Sequence, residues 1–476
     1  MLFLFQYLKI GLWATIYYFN PNDITFDIII NNIKKSGPVL IKLIQWVLPK
    51  IESFYNLDKN EIQKKKLTKL EELYENCQFH SLEYTKKMYQ QEFEEELSDK
   101  YKDIQEIASG SIGQVYKVTD EKDNEYALKI LHPDTETQIL FFNLLFKLVK
   151  ILKPIHNKLN YYFPIDLETF IKDFRSQTNF INEANNNLVF SKIYDNNPYV
   201  IIPKLMKVSK NILIMDYEEG EIFVNSKFSE YISWKTISLI KLFNKNNETI
   251  FNFMHGDLHK ANWKVRIIKS EVKIIIYDFG FCWNIPECIT KNLVFLNHTF
   301  MELQVFNSVG PIPDSLKNDL AKVCSIFTDN KISVDSIKPE INKILEIDKI
   351  SPTDPFFFLK LMLTCTRKGN ITLDSYVLGC IIGHNQMSNL YKIVFEDNFE
   401  YDNKKLNEKF VYSQYFDDLI NFCETNNIFI DYVDYLKNEV RIEKQMRNIK
   451  TDSLFLLNET LENNSKIKAM CIPKDN

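Results

Sequence analysis

The sequence predicts an α+β fold, because strand patterns fill its middle and helical patterns its end. Residues 107–116 read as strand, turn and strand, and residues 263–268 and 272–277 form two further strand-like runs joined by a polar turn. β-branched residues bounded by polar turns are typical of strands. From Asn292 onward the chain shows helical patterns with polar linkers, and Phe356–Leu363 predicts a strongly buried helix.

The most informative motif lies between His255 and Asn262 and reads His-Gly-Asp-Leu-His-Lys-Ala-Asn. It is followed, after the strand-like pair, by Asp278-Phe279-Gly280. In kinases, an Asp and an Asn at this spacing in one loop, with a second Asp in the next loop, hold magnesium and the phosphoryl acceptor. The spacing therefore predicts that Asp257 faces the acceptor and that Asn262 and Asp278 bind metal.

An upstream motif fits a loop that binds phosphate. Against the kinase pattern G-x-G-x-x-G-x-V, the chain matches at Gly110, Gly113 and Val115, with Ala108 at the first glycine. The whole chain has only 11 Gly in 476 residues, so two of them this close together stand out. The residues predicted to contact ATP here are Ala108, Ser109, Gly110, Ser111, Ile112, Gly113 and Val115. An ordinary hairpin that contains glycine is the alternative.

Lys129 interrupts an apolar strand over residues 126–131, as the strand lysine of kinases does. A lysine that points into a cleft needs an anionic partner, because a bare buried ammonium is unstable. An edge-strand lysine that faces water is the alternative. A helical pattern that begins at Leu167 and runs into residues 180–184 supplies acids. Glu183 is the candidate partner of Lys129. Glu168 is the alternative, and Asp173 is less favoured than either.

The apolar run at residues 212–218 predicts a strand whose backbone binds adenine. Met215 and Tyr217 are the residues predicted to contact the base. A core strand with an ordinary methionine is equally consistent with these residues.

Together these motifs resemble the UbiB family of atypical protein-kinase-like proteins, which is linked to isoprenoid quinone metabolism and membrane lipids. The resemblance extends from about Ser36 to Trp283 and fades through the rest of the chain. It is carried by residues 37–45, which are similar to the family's K-x-G-Q motif, and by residues 111–115, 127–133, 182–185, 255–262 and 278–280.

The resemblance implies a two-lobed protein-kinase-like fold with an N-terminal helical extension and a helical C-terminal region. The implied domains are the extension at 1–95, the N-lobe at 96–218 and the C-lobe at 219–476. ATP and Mg²⁺ are the implied cofactors, with ATPase or small-molecule kinase activity in preference to protein phosphorylation. By position, Lys129 pairs with Glu183, Asp257 holds the catalytic-loop position, and Lys42 and Gln45 belong to a regulatory extension.

The chain departs from the family pattern at several positions. Gly110 stands in a loop that is rich in alanine in the family, which allows closer approach of phosphate. Ile44 replaces the glycine of K-x-G-Q. Gln177 and Asn179 replace the acidic pair that is expected to receive Lys42. A hydrogen bond to a neutral amide is weaker than an ion pair, so we expect the extension to be held less firmly.

Composition narrows the classes of function. The net charge of −5 gives no case for a nucleic-acid partner. The eight cysteines form no C-x-x-C pair and suit neither zinc nor a disulfide framework, which predicts reduced thiols. The segment between Gly280 and Pro286 is too short to form a platform for a peptide substrate. Asparagine runs such as Asn185–Asn187 fit a compositional bias and predict little about function.

Residues 1–19 are apolar and aromatic, broken by Gln6, Lys9 and Gly11. They nearly reach the ~20 residues needed to span a bilayer, and they lack the features of a secretory signal or a mitochondrial transit peptide. A buried or surface-docked helix, contact with a membrane and a true span are the open interpretations.

The leading prediction is an atypical kinase or ATPase that binds Mg-ATP at a membrane, on its cytoplasmic-type reducing side. Its acceptor would be water or a small molecule, a lipid-linked one included. The alternatives are a nucleotide-binding pseudokinase that scaffolds a membrane-bound biosynthetic complex, and a conventional protein kinase. Retention of Lys129, Glu183, Asp257, Asn262 and Asp278 favours catalysis, because a scaffold does not need all of them. The sequence predicts neither the acceptor's identity nor an oligomeric state.

Overall fold

The computed structural model describes residues 2–45, 65–66, 69–70, 79–154, 167–195, 197, 199–224, 251–269, 271–285, 312–328, 330–347, 357–369 and 371, with scattered residues between 227 and 247. The chain divides into two compact units. The first unit comprises Met1–Asn196, Ile202–Glu219 and Ile276–Phe281, and the second comprises Asn197–Ile201, Gly220–Ile275 and Cys282–Asn476. The domain boundaries expected at residues 95 and 218 stay predictions.

The N-terminal part of the first unit is helical, with α1 at Leu2–Phe19, α2 at Asp23–Lys34 and a further helical segment at 38–45. Asn22 caps α2, because its side-chain oxygen accepts a hydrogen bond from the Thr25 N–H at 2.9 Å. A buried isoleucine cluster joins α2 to the segment at 38–45 and contains Ile30, Ile33 and Ile41. Among the helices that the structure describes, none is sufficiently long and apolar to pass through a bilayer.

A five-stranded antiparallel sheet forms the centre of the first unit. Its strands are β1 (Asp103–Ser109), β2 (Gly113–Thr119), β3 (Glu125–Leu131), β5 (Leu205–Val208) and β6 (Ile212–Asp216), in the order β1-β2-β3-β6-β5, while β4 (Val200–Ile201) belongs to the second unit. Tyr116, Leu128, Ile130 and Ile214 are buried on this sheet and share a core with Tyr89. The strands predicted at residues 126–131 and 212–218 are confirmed as β3 and β6, the second of which ends at Asp216.

The helices of the first unit after α2 are α3 (Leu82–Phe93), α4 (Leu97–Lys100), α5 (Thr135–Ile151), α6 (Leu167–Gln177) and α7 (Phe180–Ile193). The expectation of one continuous helical pattern from Leu167 to residue 184 is wrong, because the helix breaks at Asn179. Asn179 has an extended backbone, and its side-chain oxygen accepts a hydrogen bond from the Ile181 N–H at 3.2 Å, so it begins a new helix. Ile181, in the first turn of the new helix, is 44% exposed.

The second unit contains a three-stranded sheet in the order β4-β9-β8 and a two-stranded sheet of β7 and β10. These strands are β7 (Phe253–His255), β8 (Trp263–Ile268), β9 (Glu271–Ile276) and β10 (Cys282–Asn284). β8 and β9 confirm the pair of strands that was predicted after Asn262. Trp263, at the start of β8, is fully buried and fixes that strand in the core.

The described helices of the second unit are α8 (Asp314–Phe327), α9 (Val334–Asn342) and α10 (Phe357–Gly369). The buried helix predicted at Phe356–Leu363 is confirmed as α10, in which Phe357, Leu361 and Met362 are fully buried. The start of the predicted helical tail at Asn292 and the chain after residue 371 lie outside the described residues.

Candidate functional site

Lys129 on β3 is the centre of a buried ionic cluster in the first unit. Its Nζ donates to both carboxylate oxygens of Glu183 at 2.9 Å and to Oδ1 of Asp278 at 3.1 Å. Glu183 lies on α7 and is 1% exposed, whereas 35% of the Asp278 side chain is exposed. Glu168, the alternative acid, forms an exposed pair with Lys150 instead. The structure therefore selects Glu183 as the predicted partner of Lys129.

Electrostatics keep Lys129 charged and bring the pKa of Glu183 close to neutral pH. Burial raises the pKa of Glu183 to about 7, with Lys129 lowering it and Asp278 raising it further. Burial by itself lowers the pKa of Lys129, but the charges of Asp278 and Glu183 outweigh burial, and the pKa is raised overall. One ammonium thus faces two acidic side chains. Asp278 is the part-exposed one, at which a further cation is favourable.

The Asp278-Phe279-Gly280 segment is held by the helix that carries Glu183. Asn186 on α7 donates to the carbonyl oxygen of Phe279 at 2.8 Å, and the buried Phe279 ring lies 5.1 Å from the Phe190 ring. Asp278 has a φ of 55°, in the left-handed region that residues other than glycine rarely adopt. Because such strained residues cluster at functional sites, this backbone supports a functional role for Asp278.

The predicted phosphate loop is the turn between β1 and β2. The N–H of Gly110 donates to the carbonyl oxygen of Gly113 at 3.0 Å, which closes the turn around Ser111 and Ile112. His132 fixes it from β3, because its N–H donates to the Ile112 carbonyl oxygen and its Nε2 lies 3.0 Å from the Gly110 carbonyl oxygen. Ala108 and Ser109 end β1, and Val115 on β2 pairs in register with Lys129, so the loop is built directly onto the lysine strand.

His132 also belongs to a directed chain of buried hydrogen bonds. A carbonyl oxygen can only accept, so Nε2 of His132 carries the proton and its Nδ1 accepts from Nδ1 of His80 at 3.0 Å. His80 Nε2 then accepts from Thr85 Oγ1, which accepts from the Tyr116 hydroxyl, which accepts from Nε2 of Gln114. Burial lowers the pKa of His132, and burial together with His132 lowers the pKa of His80 to about 4. Both rings are therefore neutral, as the direction of the chain requires.

In the strand predicted to bind adenine, Met215 lies in the core and the backbone N–H of Tyr217 is used in a hydrogen bond within the protein. Met215 is 5% exposed, and its sulfur lies 3.8 Å from Nδ2 of Asn187. The N–H of Tyr217 donates to the carbonyl oxygen of Glu125 at 3.0 Å. Recognition of a base by the Tyr217 backbone would therefore use its carbonyl group.

The predicted catalytic loop lies in the second unit, directly after β7. Its shape is fixed by the backbone oxygen of Asp257, which accepts from the His259 N–H at 2.9 Å and from Nδ2 of Asn262 at 2.7 Å. Nδ1 of His255 accepts from the Asp257 N–H at 3.4 Å, so this histidine helps to shape the loop. Because Asn262 uses its nitrogen in the loop, its Oδ1 is the atom suited to a metal ion.

The regulatory residues expected from the resemblance are both buried in the first unit. Lys42 and Gln45 lie on the helical segment 38–45 and are 3% and 8% exposed. Gln177 ends α6 and is 2% exposed, while the side-chain oxygen of Asn179 is engaged in capping α7. An aspartate would cap the helix equally well. The interaction of Lys42 with these two amides stays a prediction.

Comparison with known protein families identifies the domain that contains these residues. Residues 72–305 match the model described as the ABC1 atypical kinase-like domain. This chain carries an ABC1 atypical kinase-like domain. The resemblance to the UbiB family and the α+β kinase-like fold, both predicted from the motifs, are thereby confirmed.

Two curated relatives are similar to part of this chain. The probable serine/threonine-protein kinase abkC of Dictyostelium discoideum is 25% identical over 251 residues, which cover 51% of this chain and 35% of that protein. The uncharacterized aarF domain-containing protein kinase At1g71810, chloroplastic, of Arabidopsis thaliana is 23% identical over 181 residues, which cover 37% of this chain and 24% of that protein. The matches therefore span about a third and a quarter of these relatives.

Among solved structures, the Rv3197–erythromycin complex from Mycobacterium tuberculosis has a TM-score of 0.41 and 15% sequence identity to this chain. The similarity covers 66% of this chain and 83% of that one. We draw no conclusion from a similarity of this size.

Three residues of α7 that support the candidate site were not predicted from the sequence. Asn186 and Phe190 anchor the segment after Asp278, and Asn187 donates to the Pro203 carbonyl oxygen at 2.9 Å. Asn186 and Asn187 therefore have structural roles, and the expectation that asparagines 185–187 carry little functional weight stays a prediction. Asn186, Asn187 and Phe190 lie three, four and seven residues after Glu183, which places all of them on the buried side of one helix. That spacing is the signal from which their positions could have been predicted.

The two glycines of the phosphate loop are expected to respond differently to alanine. A Cβ at Gly113 would lie 2.7 Å from the Ile130 carbonyl oxygen, so Gly113→Ala should lower the free energy of unfolding by about 1–3 kcal/mol. A Cβ at Gly110 meets its nearest atom at 3.7 Å, so Gly110→Ala should leave stability within about 0.5 kcal/mol of the wild type. Gly110→Ala should nevertheless weaken ATP binding, because the methyl group occupies space that a phosphate approaches.

Thermal unfolding and ATP titration of both variants measure these effects. Unchanged ATP affinity in a stable Gly110→Ala variant would exclude this turn from phosphate binding.

Proposed function

We propose that the ABC1 domain of this chain binds ATP with Mg²⁺ and hydrolyses or transfers the terminal phosphoryl group. The observation that carries the proposal is the buried cluster of Lys129, Glu183 and Asp278. A structural ion pair needs only one acid. The second acid, part-exposed and held in a left-handed backbone, suits the binding of metal and phosphate.

The residues present fit a magnesium ion. Mg²⁺ prefers oxygen ligands, usually one or two carboxylates with water and phosphate oxygens. In the first unit, Asp278 supplies a part-exposed carboxylate beside Lys129. In the second unit, the loop leaves Oδ1 of Asn262 as the oxygen suited to a metal ion. When bound, Mg²⁺ would neutralise charge on the phosphates. Lys129 would hold the phosphates themselves, and Asp257 would orient the acceptor and take its proton.

The acceptor we propose is water or a small molecule, a lipid-linked one included, and the setting is a membrane. The short segment between Gly280 and Pro286 supports this choice over a peptide acceptor. The apolar helix α1, on which Phe5, Leu8 and Leu12 are more than half exposed, supports the membrane setting.

The test is the dependence of ATP binding on magnesium. Asp278→Asn should weaken ATP binding in the presence of Mg²⁺ by about tenfold or more, because it removes the carboxylate that holds the metal. Without Mg²⁺ the variant should bind ATP at least as well as the wild type, since one negative charge near the phosphates is lost. Isothermal titration with Mg²⁺ and with EDTA measures both.

Asp103→Asn is the matched control, because Asp103 is an exposed aspartate at the start of β1. It should leave binding unchanged in both buffers. The proposal fails if the wild type gains no affinity from Mg²⁺.

A further inference from the structure

A pocket of about 260 Å³ lies in the first unit, between the turn after α2 and the phosphate loop. Lys34 and Lys35 line it at the end of α2, and Ser111 lines it from the phosphate loop. Its volume equals that of about nine water molecules at about 30 Å³ each, which is room for one small organic molecule. We call it the Gln138 pocket, after the buried residue of α5 that also lines it.

Within the described part of the chain, the side chains that line the Gln138 pocket supply cations and hydrogen-bond donors but no carboxylate. Gln138 is 3% exposed, and its Oε1 accepts a hydrogen bond from the Tyr7 hydroxyl at 3.3 Å. Its Nε2 donates to none of the described residues, and a Cβ at Gly37 would collide with this nitrogen. Lys35 forms no ion pair with a described residue. Because a buried amide without a hydrogen bond is unfavourable, this donor beside a lysine favours an anionic ligand.

The remaining walls of the pocket are largely apolar. Pro38 and Ile41, on the helical segment 38–45, are buried, while Phe79 and Pro133 are exposed. A bare inorganic anion would leave these apolar side chains uncovered, whereas an organic acid would cover them. The lining therefore fits a carboxylate that is attached to a compact apolar group.

Two histidines connect the Gln138 pocket to the phosphate loop. His80 and His132 both line the pocket, and their Nδ1 atoms lie 3.0 Å apart. His132 also holds the loop through the carbonyl oxygens of Gly110 and Ile112. The four ring nitrogens are used within the protein, so a ligand would pack against the rings. A molecule that contacts these rings and Ser111 would restrict the same loop.

We propose that the Gln138 pocket binds a small organic carboxylate, which joins the turn after α2 to the phosphate loop and makes that loop more rigid. The carboxylate would accept a hydrogen bond from Nε2 of Gln138 and pair with Lys35, and its apolar group would contact Pro38 and Ile41. A loop that one ligand has already ordered loses less entropy when it binds a second ligand. The pocket does not depend on ATP binding, and only its effect on ATP affinity rests on the proposed function.

Cyclohexanecarboxylate is a suitable probe, because it joins a carboxylate to a compact apolar ring. Isothermal titration of the full chain without ATP should show saturable binding of this acid. Cyclohexylmethanol, which has the ring but no charge, and inorganic phosphate, which has no ring, should each bind about tenfold more weakly or less. Hydrogen–deuterium exchange of residues 109–113 should slow by about threefold or more at saturation.

Two variants and one control locate the binding site. Lys35→Ala, on an exposed residue, should weaken binding of the acid about threefold. Gln138→Leu should weaken it about tenfold, because the buried donor is lost. Lys35→Ala keeps the test valid if Gln138→Leu folds poorly. Lys192→Ala removes an exposed lysine from the last turn of α7 and should bind the acid like the wild type.

Three results would overturn the proposal: equal binding of the acid, the alcohol and phosphate, unchanged binding in Lys35→Ala and in a folded Gln138→Leu variant, or binding that leaves exchange of the loop unchanged. If the loop binds ATP, the acid should raise ATP affinity, and ATP should raise affinity for the acid by the same factor. Slower exchange without any change in ATP affinity would support the pocket and count against the proposed nucleotide site.

Discussion

Lys129→Met is expected to lower the free energy of unfolding by about 3–5 kcal/mol, the usual effect of removing one partner of a buried ion pair. Glu183 is 1% exposed, so the substitution leaves a buried carboxylate that keeps only Asp278, a like charge, as its ionic neighbour in the cluster. The loss comes from this uncompensated charge more than from the pair itself. Chemical denaturation at pH 8 measures it.

The loss should shrink as the pH is lowered. Burial already raises the pKa of Glu183 to about 7 in the presence of Lys129, and without the lysine the pKa rises further. An unfolded glutamate titrates near 4.3. A group whose folded pKa is raised contributes stability below the unfolded pKa and loses it as pH rises through the folded pKa. Because the pKa of Glu183 is already about 7 in the wild type, the variant and the wild type should differ most above pH 7 and by a smaller, constant amount below it.

Two controls isolate the cause. Lys129→Met/Glu183→Gln removes the stranded charge and should be more stable than Lys129→Met alone. Lys117→Met removes a lysine from the neighbouring strand β2, where the pair with Glu125 is partly exposed, and should cost about 1 kcal/mol or less. A loss in Lys129→Met that is no larger than in Lys117→Met, and independent of pH, would contradict the buried cluster.

Asp257→Asn is expected to lower magnesium-dependent ATP turnover by about 100-fold or more, the usual contribution of a positioned general base. The asparagine has the same shape, and the loop is held through the backbone oxygen of Asp257, so the fold of the loop should survive. ATP affinity should change little, because the lost carboxylate acts on the acceptor. Phosphate release and ATP titration on the same samples separate the two quantities.

Asp314→Asn, on a fully exposed side chain at the start of α8, should keep wild-type turnover. If the wild type binds ATP tightly but turns over no faster than Asp257→Asn, the enzyme proposal is contradicted and a nucleotide-binding scaffold takes its place. Efficient phosphorylation of a peptide library would instead revive a conventional protein kinase.

Most of the elements and site residues that could be predicted follow from short-range patterns in the sequence. Strands β3, β6, β8 and β9 and helix α10 follow from local apolar periodicity, and Lys129, Asp257 and Asp278 follow from motif spacing. The prediction of a continuous helix from Leu167 was wrong because the side chain of Asn179 caps a new helix. In a chain rich in asparagine, the sequence does not distinguish a capping asparagine from the others.

By itself, the sequence determined the family, the α+β class and the chemical types at the site, because these depend on residue identity and spacing. Only the tertiary structure decided that Glu183 and not Glu168 pairs with Lys129, and that Asp278 accepts a hydrogen bond from the same ammonium group. It also showed that Asn186 holds the segment at residues 278–280 and that His132 holds the predicted phosphate loop. These are contacts between residues up to 149 positions apart along the chain.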